Sequence, residues 1–122
     1  MIKLLVVDDE PDVIEFQRRY LERRKYNVFT AANTPQAIEA VTKESPDIVF
    51  LDLRIETDTQ GLVILEEIKK IRPDTTVFLV TGIIDREIES QALALGANEV
   101  LHKPLPNEEL EKKIKEASLK SS

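Results

Sequence analysis

The chain has no cysteine and no tryptophan, a single histidine and only three glycines in 122 residues. Each shortage removes a class of chemistry. Without cysteine there is neither a disulfide framework nor a thiolate metal site, and with His102 as the sole imidazole the composition argues against zinc. Three glycines leave no Gly-rich loop or P-loop to cradle a nucleotide phosphate, and no aromatic residue at the exit of the first apolar run is placed to stack a flavin. No apolar stretch approaches the ~20 residues of a membrane span, and Met1 leads directly into a strand-like run rather than a signal peptide. The cytoplasm is therefore the expected location. A net charge of -6 disfavours direct nucleic-acid binding by this domain. Hydrophobic residues at 42% and charged residues at 33% are expected to form one domain that buries about two thirds of its unfolded surface.

What is present is a fivefold alternation. Strand-like apolar runs lie at Ile2–Val7, Asn27–Ala31, Ile48–Leu51, Thr76–Val80 and Glu99–Leu101, each followed by a segment with helical spacing. Val13, Phe16, Tyr20 and Leu21 form the stripe of the first helix, with Pro11 in its opening turn. Thr34-Pro35 opens the second, along which Ala37, Ile38 and Val41 recur. Leu62, Leu65, Ile68 and Ile71 mark the third, which stops before Pro73. Ile84, Ile88, Ala92 and Leu95 mark the fourth, with Gly96 as a left-handed cap. Asn107, Leu110, Ile114 and Ala117 mark the last, and Ser118–Ser122 is expected to fray. The domain is placed at residues 1–119 and the tail at residues 120–122.

This pattern predicts an α/β fold, a doubly wound (βα)5 parallel sheet covered by helices on both faces, with strand order 2-1-3-4-5. In such sheets the site lies outside the carboxyl ends of the strands, where strand order reverses. The first strand runs into Asp8-Asp9, the third into Asp52, the fourth into Thr81 and the fifth into His102-Lys103-Pro104. Carboxylates crowded there repel. Two held ~5 Å apart cost on the order of 3 kcal/mol at an effective dielectric of about 20. A hard divalent cation relieves that repulsion, and oxygen ligands suit Mg²⁺, with Mn²⁺ as an alternative. A carboxylate beside the metal can attack phosphorus and form an acyl phosphate, while the Lys103 ammonium and the Thr81 hydroxyl serve the oxygens of the transferred group.

VVDDE at Val6–Glu10, IVFLDL at Ile48–Leu53, VTG at Val80–Gly82 and GANEVLHKPL at Gly96–Leu105 resemble the receiver domain of two-component response regulators, a CheY-like, flavodoxin-like fold. The resemblance runs from Ile2 to about Ala117, with all four motifs in order. It implies that Asp52 is the phosphoacceptor and that Asp8 and Asp9 are the metal-binding acidic pair, with the Arg54 carbonyl as a further protein ligand. Thr81 would be the switch hydroxyl, Lys103 the phosphate-binding lysine, and the Lys103–Pro104 peptide bond cis. The implied partners are a histidine kinase or phosphotransfer protein as donor, and an output domain, downstream protein or second copy on the face of the fourth helix, fifth strand and fifth helix. The implied chemistry is that of a regulatory phosphoacceptor rather than an enzyme.

The sequence departs from the family in two places. Many receivers carry Met-Pro after the phosphoacceptor and a Gly eight positions beyond it. Here Arg54–Gln60 lacks proline, and Gly61 stands nine positions after Asp52, so the loop is one residue longer and more acidic. Val100 also occupies the fifth-strand position that is often Tyr or Phe. In the family that aromatic turns inward when the switch hydroxyl moves, a rotation valine cannot make. Ile83, two residues after Thr81, is expected to hinder an attacking water and slow dephosphorylation.

Taken singly, each motif has an ordinary reading. Asp8-Asp9-Glu10-Pro11 could be an acidic helix start, Asp52 a strand-end turn residue, Thr81 a common strand residue and Lys103-Pro104 a surface turn. Their coincidence at the ends of four strands favours a site. The basic cluster Arg18, Arg19, Arg23, Arg24 and Lys25 is read as a solvated face ahead of a docking patch for an acidic partner, and His102 as structural, alternating away from the pocket. Besides a flavodoxin-like cofactor binder, which the shortage of glycine and of a stacking aromatic disfavours, two rivals stand beside the receiver. One is a pseudo-receiver that signals by binding alone. The other is a haloacid-dehalogenase-type phosphatase, which would need a second Asp where Arg54 stands.

Overall fold

The structure is a computed structural model that describes residues 1–120, with side chains through Leu119. Five strands alternate with five helices: β1 (Lys3–Val7), α1 (Pro11–Arg23), β2 (Asn27–Ala31), α2 (Thr34–Glu44), β3 (Ile48–Asp52), α3 (Gln60–Ile71), β4 (Thr76–Thr81), α4 (Arg86–Ala94), β5 (Glu99–His102) and α5 (Asn107–Lys120). The strands form one parallel sheet in the order β2-β1-β3-β4-β5, as the sequence predicts. Strands β3, β4 and β5 each run one residue beyond the apolar run that announced them, so that Asp52, Thr81 and His102 complete the ladder.

Side-chain alternation splits the core in two. Leu5 and Val7 of β1 join Val49, Leu51, Val77 and Leu79 on one face, where Ala37, Val41, Ile64, Leu65, Ile68 and Ala92 of α2, α3 and α4 cover them. Leu4 and Val6 join Ile48, Phe50, Phe78, Val80 and Leu101 on the other, under Leu21 of α1 and Leu110 and Ile114 of α5. The central strand β3 is buried at every position, the mark of a strand covered on both sides. The rings of Phe50 and Phe78 stack with centroids 5.3 Å apart.

Local chemistry sets the helix ends. Asn33 caps α2, its side chain accepting the Gln36 amide at 3.0 Å. The Asp85 side chain accepts the amides of Glu87 and Ile88 at 3.0 and 3.1 Å, which starts α4 at Arg86. Helix α4 closes in a Schellman motif: Ala97 N donates to Ala92 O at 3.0 Å, Gly96 N to Leu93 O at 3.1 Å, and Gly96 takes φ +109°.

Three sequence expectations need correction. Phe16, placed on the inward stripe of α1, is 69% exposed, because successive residues turn by about 100° and Phe16 lies roughly 140° around the helix from buried Leu21. Ile84, counted in the fourth helix, precedes the Asp85 cap and is 85% exposed. Ser118 and Leu119, expected to fray, continue α5, with Ser118 Oγ donating to the Ile114 carbonyl at 2.8 Å. Lys120, assigned to the tail, is the last residue of that helix, and the remaining tail residues 121–122 lie outside the described residues. Among the described residues no helix is long and apolar enough to cross a membrane.

Candidate phosphoacceptor site

The carboxyl edge of the sheet collects the predicted residues. Asp8 is the first residue past β1, and its amide still donates to Ala31 O of β2 at 3.1 Å. Asp52 ends β3, and the next amide, that of Leu53, donates to Val80 O at 2.9 Å. Lys103 follows β5, and its amide donates to Thr81 O at 2.8 Å. The strands thus fix the backbone under each side chain. The Lys103–Pro104 bond is cis.

One carboxylate oxygen from each of Asp8, Asp9 and Asp52 lies within 4.8 Å of the others. Asp8 is 4% and Asp52 6% exposed, whereas Asp9 faces solvent. Lys103 Nζ stands 3.0 Å from Asp52 Oδ2 and 3.9 Å from Asp8 Oδ2. The remaining oxygens are also engaged, Asp8 Oδ1 by the Glu10 amide at 3.0 Å and Asp52 Oδ1 by the Arg54 amide at 3.2 Å. Burial raises the Asp8 carboxyl above its ordinary value against the pull of the Glu10 amide, and the Asp52 charge adds to the rise. Burial alone would lower Lys103. The Asp52 hydrogen bond and the charges of Asp52 and Asp8 outweigh it and leave the ammonium held above its ordinary value.

An all-oxygen donor set with excess negative charge fits a hard divalent cation such as Mg²⁺ or Mn²⁺. A cavity of about 50 Å³ borders Asp8, Asp52 and Lys103 and is also lined by Leu105 and by Gln17 of α1, the latter a residue that no motif pointed to. The much larger hollow of about 700 Å³, among Met1, Ile48, Arg72 and Thr76, lies at the opposite edge of the sheet, and among the described residues it holds no group of three converging acids.

Thr81 and Arg54 adjoin this group without a side-chain bond to the carboxylates. Thr81 is 1% exposed, and its hydroxyl accepts the Ile83 amide at 3.1 Å. The Arg54 side chain points to solvent in an exposed pair with Asp58 at 3.4 Å, so its place in the site is through the backbone.

The longer β3–α3 loop is ordered. Leu53 and Ile55 are fully buried. Thr57 N donates to Ile55 O at 2.6 Å around Glu56, which has φ +66°, a three-residue γ-turn that absorbs the extra residue. Gly61 ends the loop because nothing larger fits: a Cβ there would lie 2.5 Å from Asp52 O and 2.6 Å from Leu53 Cα. Its amide donates to Leu53 O at 2.9 Å, docking α3 directly on the strand that carries Asp52.

Val100 pairs with Leu79 and is half-buried against the core. The basic cluster on α1 is largely neutralised. Arg18 is held by Glu15 and Glu22, Arg19 bonds Glu15 at 3.0 Å, and Arg24 stacks 3.7 Å over the Tyr20 ring while bonding Glu111 at 2.9 Å. The solvated-face reading fits this better than a free basic patch. His102 points away from the pocket, its Nε2 3.5 Å from Glu89 on α4.

The response regulator receiver domain model matches residues 4–115, and the chain belongs to that family, a regulatory module of two-component systems. It is 32% identical over 113 residues to sporulation initiation phosphotransferase F of Bacillus subtilis, covering 93% of this chain and 90% of that protein. Other curated relatives are longer. The chain spans 23% of response regulator protein PilR of Pseudomonas aeruginosa, with 35% identity over 103 residues. Among solved structures, a response regulator receiver domain protein from Clostridium thermocellum superimposes with a TM-score of 0.89 at 32% identity, covering 99% of this chain and 97% of that one. A response regulator protein from Burkholderia pseudomallei, solved with a phosphorylated aspartic acid, a calcium ion and citrate, gives a TM-score of 0.84 at 26% identity, covering 100% of this chain and 76% of that one. Receivers interact with histidine kinases or phosphotransfer proteins and with output domains.

Proposed function

We propose that this domain, residues 1–119, accepts a phosphoryl group on Asp52 from a phosphohistidine of a histidine kinase or phosphotransfer protein, in a Mg²⁺-dependent reaction in the cytoplasm. The observation that carries the reading is the arrangement around Asp52: a buried strand-end carboxylate bonded to an ammonium at 3.0 Å and grouped with two further acids. An Asp52 oxygen attacks phosphorus, the P–N bond to the donor imidazole breaks, and the imidazole leaves with the electron pair. Lys103 neutralises negative charge on the phosphoryl oxygens. Thr81 accepts a hydrogen bond from Ile83, so its own proton is free to be donated to the phosphoryl group. Asp8, Asp9, Asp52 and the Arg54 carbonyl would hold Mg²⁺ or Mn²⁺, which when bound offsets the carboxylate repulsion and the charge of the incoming group. The aspartyl phosphate and metal named for the Burkholderia relative support the reading.

The phosphoryl group would then bias an equilibrium already present, expressed on the face of α4, β5 and α5. There an output domain, a downstream protein or a second copy would dock.

Incubation with acetyl phosphate and Mg²⁺ followed by intact-mass measurement tests this. The expected result is one added phosphoryl on the wild type and none on Asp52→Asn or in excess chelator. An unmodified wild type, or a phosphorylated Asp52→Asn, would refute it.

A further inference from the structure

Glu56 has no part in the chemistry above, yet its setting is unusual. It adopts a left-handed backbone at φ +66°, where glycine is the favoured residue and a side chain is ordinarily avoided. Its carboxylate is bound across 22 residues of sequence: Oε1 accepts the Thr34 amide at 2.6 Å and also the Thr34 hydroxyl. Thr34 opens α2, and first-turn amides have no partner within their own helix. The rest of that turn is accounted for, since Pro35 has no N–H and the Gln36 amide is taken by Asn33 at 3.0 Å. Glu56 completes the set, with its charge at the favourable end of the helix dipole. Gln60 Nε2 reaches the same Thr34 hydroxyl at 3.0 Å, so the loop grips one threonine from two positions.

The consequence lies two residues upstream. The Arg54 amide is fixed on Asp52 Oδ1 at 3.2 Å, and Ile55 is fully buried. The peptide unit between them carries the Arg54 carbonyl. Its setting depends on the course the chain takes beyond Ile55, and that course is the γ-turn held by Glu56. We propose that Glu56 is a positioning residue for the metal site: clamped to the start of α2, it holds the inserted loop so that the Arg54 carbonyl is a preset donor. This rests on the metal-dependent reading of the site given above. It also accounts for an acid where the backbone would favour glycine, because only a side chain can reach Thr34.

Glu56→Gly separates a positioning role from a merely structural one, since glycine suits the turn but cannot make the clamp. Mg²⁺ affinity of the unphosphorylated protein is measured by calorimetric titration, beside amide exchange at Arg54–Thr57. Loss of a group that orients a metal ligand typically costs on the order of tenfold or more in affinity. The expected results are about tenfold weaker Mg²⁺ binding and faster loop exchange in Glu56→Gly, with near wild-type affinity in Glu56→Gln, which keeps an acceptor. In acetyl phosphate assays the half-saturating Mg²⁺ concentration should rise in Glu56→Gly while the rate at saturating Mg²⁺ recovers. Thr34→Val, which deletes the clamped hydroxyl and leaves the loop sequence intact, should weaken binding in the same direction. Wild-type affinity in both Glu56→Gly and Thr34→Val overturns the clamp alone. A wild type with no Mg²⁺ affinity overturns the proposed function and the clamp with it.

Discussion

The two loops that flank Asp52 are built in opposite ways. The β3–α3 loop is anchored at three points, with Ile55 in the core, Glu56 on α2, and Gly61 packed against the Asp52 and Leu53 backbone. The β4–α4 loop from Gly82 to Asp85 is exposed at every residue. The bond at its start runs from the Ile83 amide to the Thr81 hydroxyl. One side of the site is therefore preorganised to bind, which lowers the ordering cost of holding a ligand. The other side begins at the hydroxyl that an arriving phosphoryl group would engage under the proposed function, so ligand occupancy and loop position would be linked through one oxygen.

Deleting side-chain volume in each loop gives the largest contrast. Ile55→Ala should destabilise the protein by about 3 kcal/mol, as cavities left by buried isoleucines do, while Ile84→Ala should stay within about 0.5 kcal/mol. Denaturant melts of the two variants check this, and equal losses would abolish the contrast. A smaller effect concerns the charge the anchored side confronts. Asp8 has its carboxyl raised by burial and by Asp52, so the folded state holds that proton more tightly than the unfolded chain does. Its stabilising contribution is present at pH below the unfolded value and is lost as pH rises through the elevated folded value. Metal-free Asp8→Asn should therefore exceed the wild type in stability at neutral pH by about 1 kcal/mol, with the gap closing in acid. Chelator-treated melts across that range would contradict this if the gap were absent or reversed. The smallest effect is kinetic. Replacing the apolar Ile83 by asparagine should shorten the phosphoryl lifetime by roughly threefold, about 0.7 kcal/mol in barrier, and an unchanged decay of phosphorylated Ile83→Asn would remove its role in excluding water.

The sheet and its acidic edge were legible because their signals are local. An apolar run ending on a carboxylate, as before Asp8 and at Asp52, specifies both a buried strand and the group it delivers, and five apolar runs alternating with helices leave few topologies. Periodicity failed where another local force overrode it. Ile84 continues the spacing of the fourth helix, but the Asp85 side chain takes the Glu87 and Ile88 amides and starts the helix after it. Phe16 fits a loose stripe count yet lies on the outer side of α1. Glu56 could not be found at all, because its partner is 22 residues away and no short motif connects an acid in one loop with a threonine at the start of a distant helix. Its value of φ is likewise invisible in the residue type.

Helix α4 is moored lightly. Ala92 is its fully enclosed side chain, with Ile88 and Leu95 half-covered beside it, whereas α5 drives Leu110 and Ile114 into the opposite core. Moving a two-state element from almost wholly one form to almost wholly the other takes only about 5.5 kcal/mol, and a segment held by one enclosed alanine and two half-covered aliphatic side chains would lie closer to that reach than α5. The neighbouring helix, locked by two large aliphatic side chains, can then stay in place as a fixed frame against which the displacement is felt.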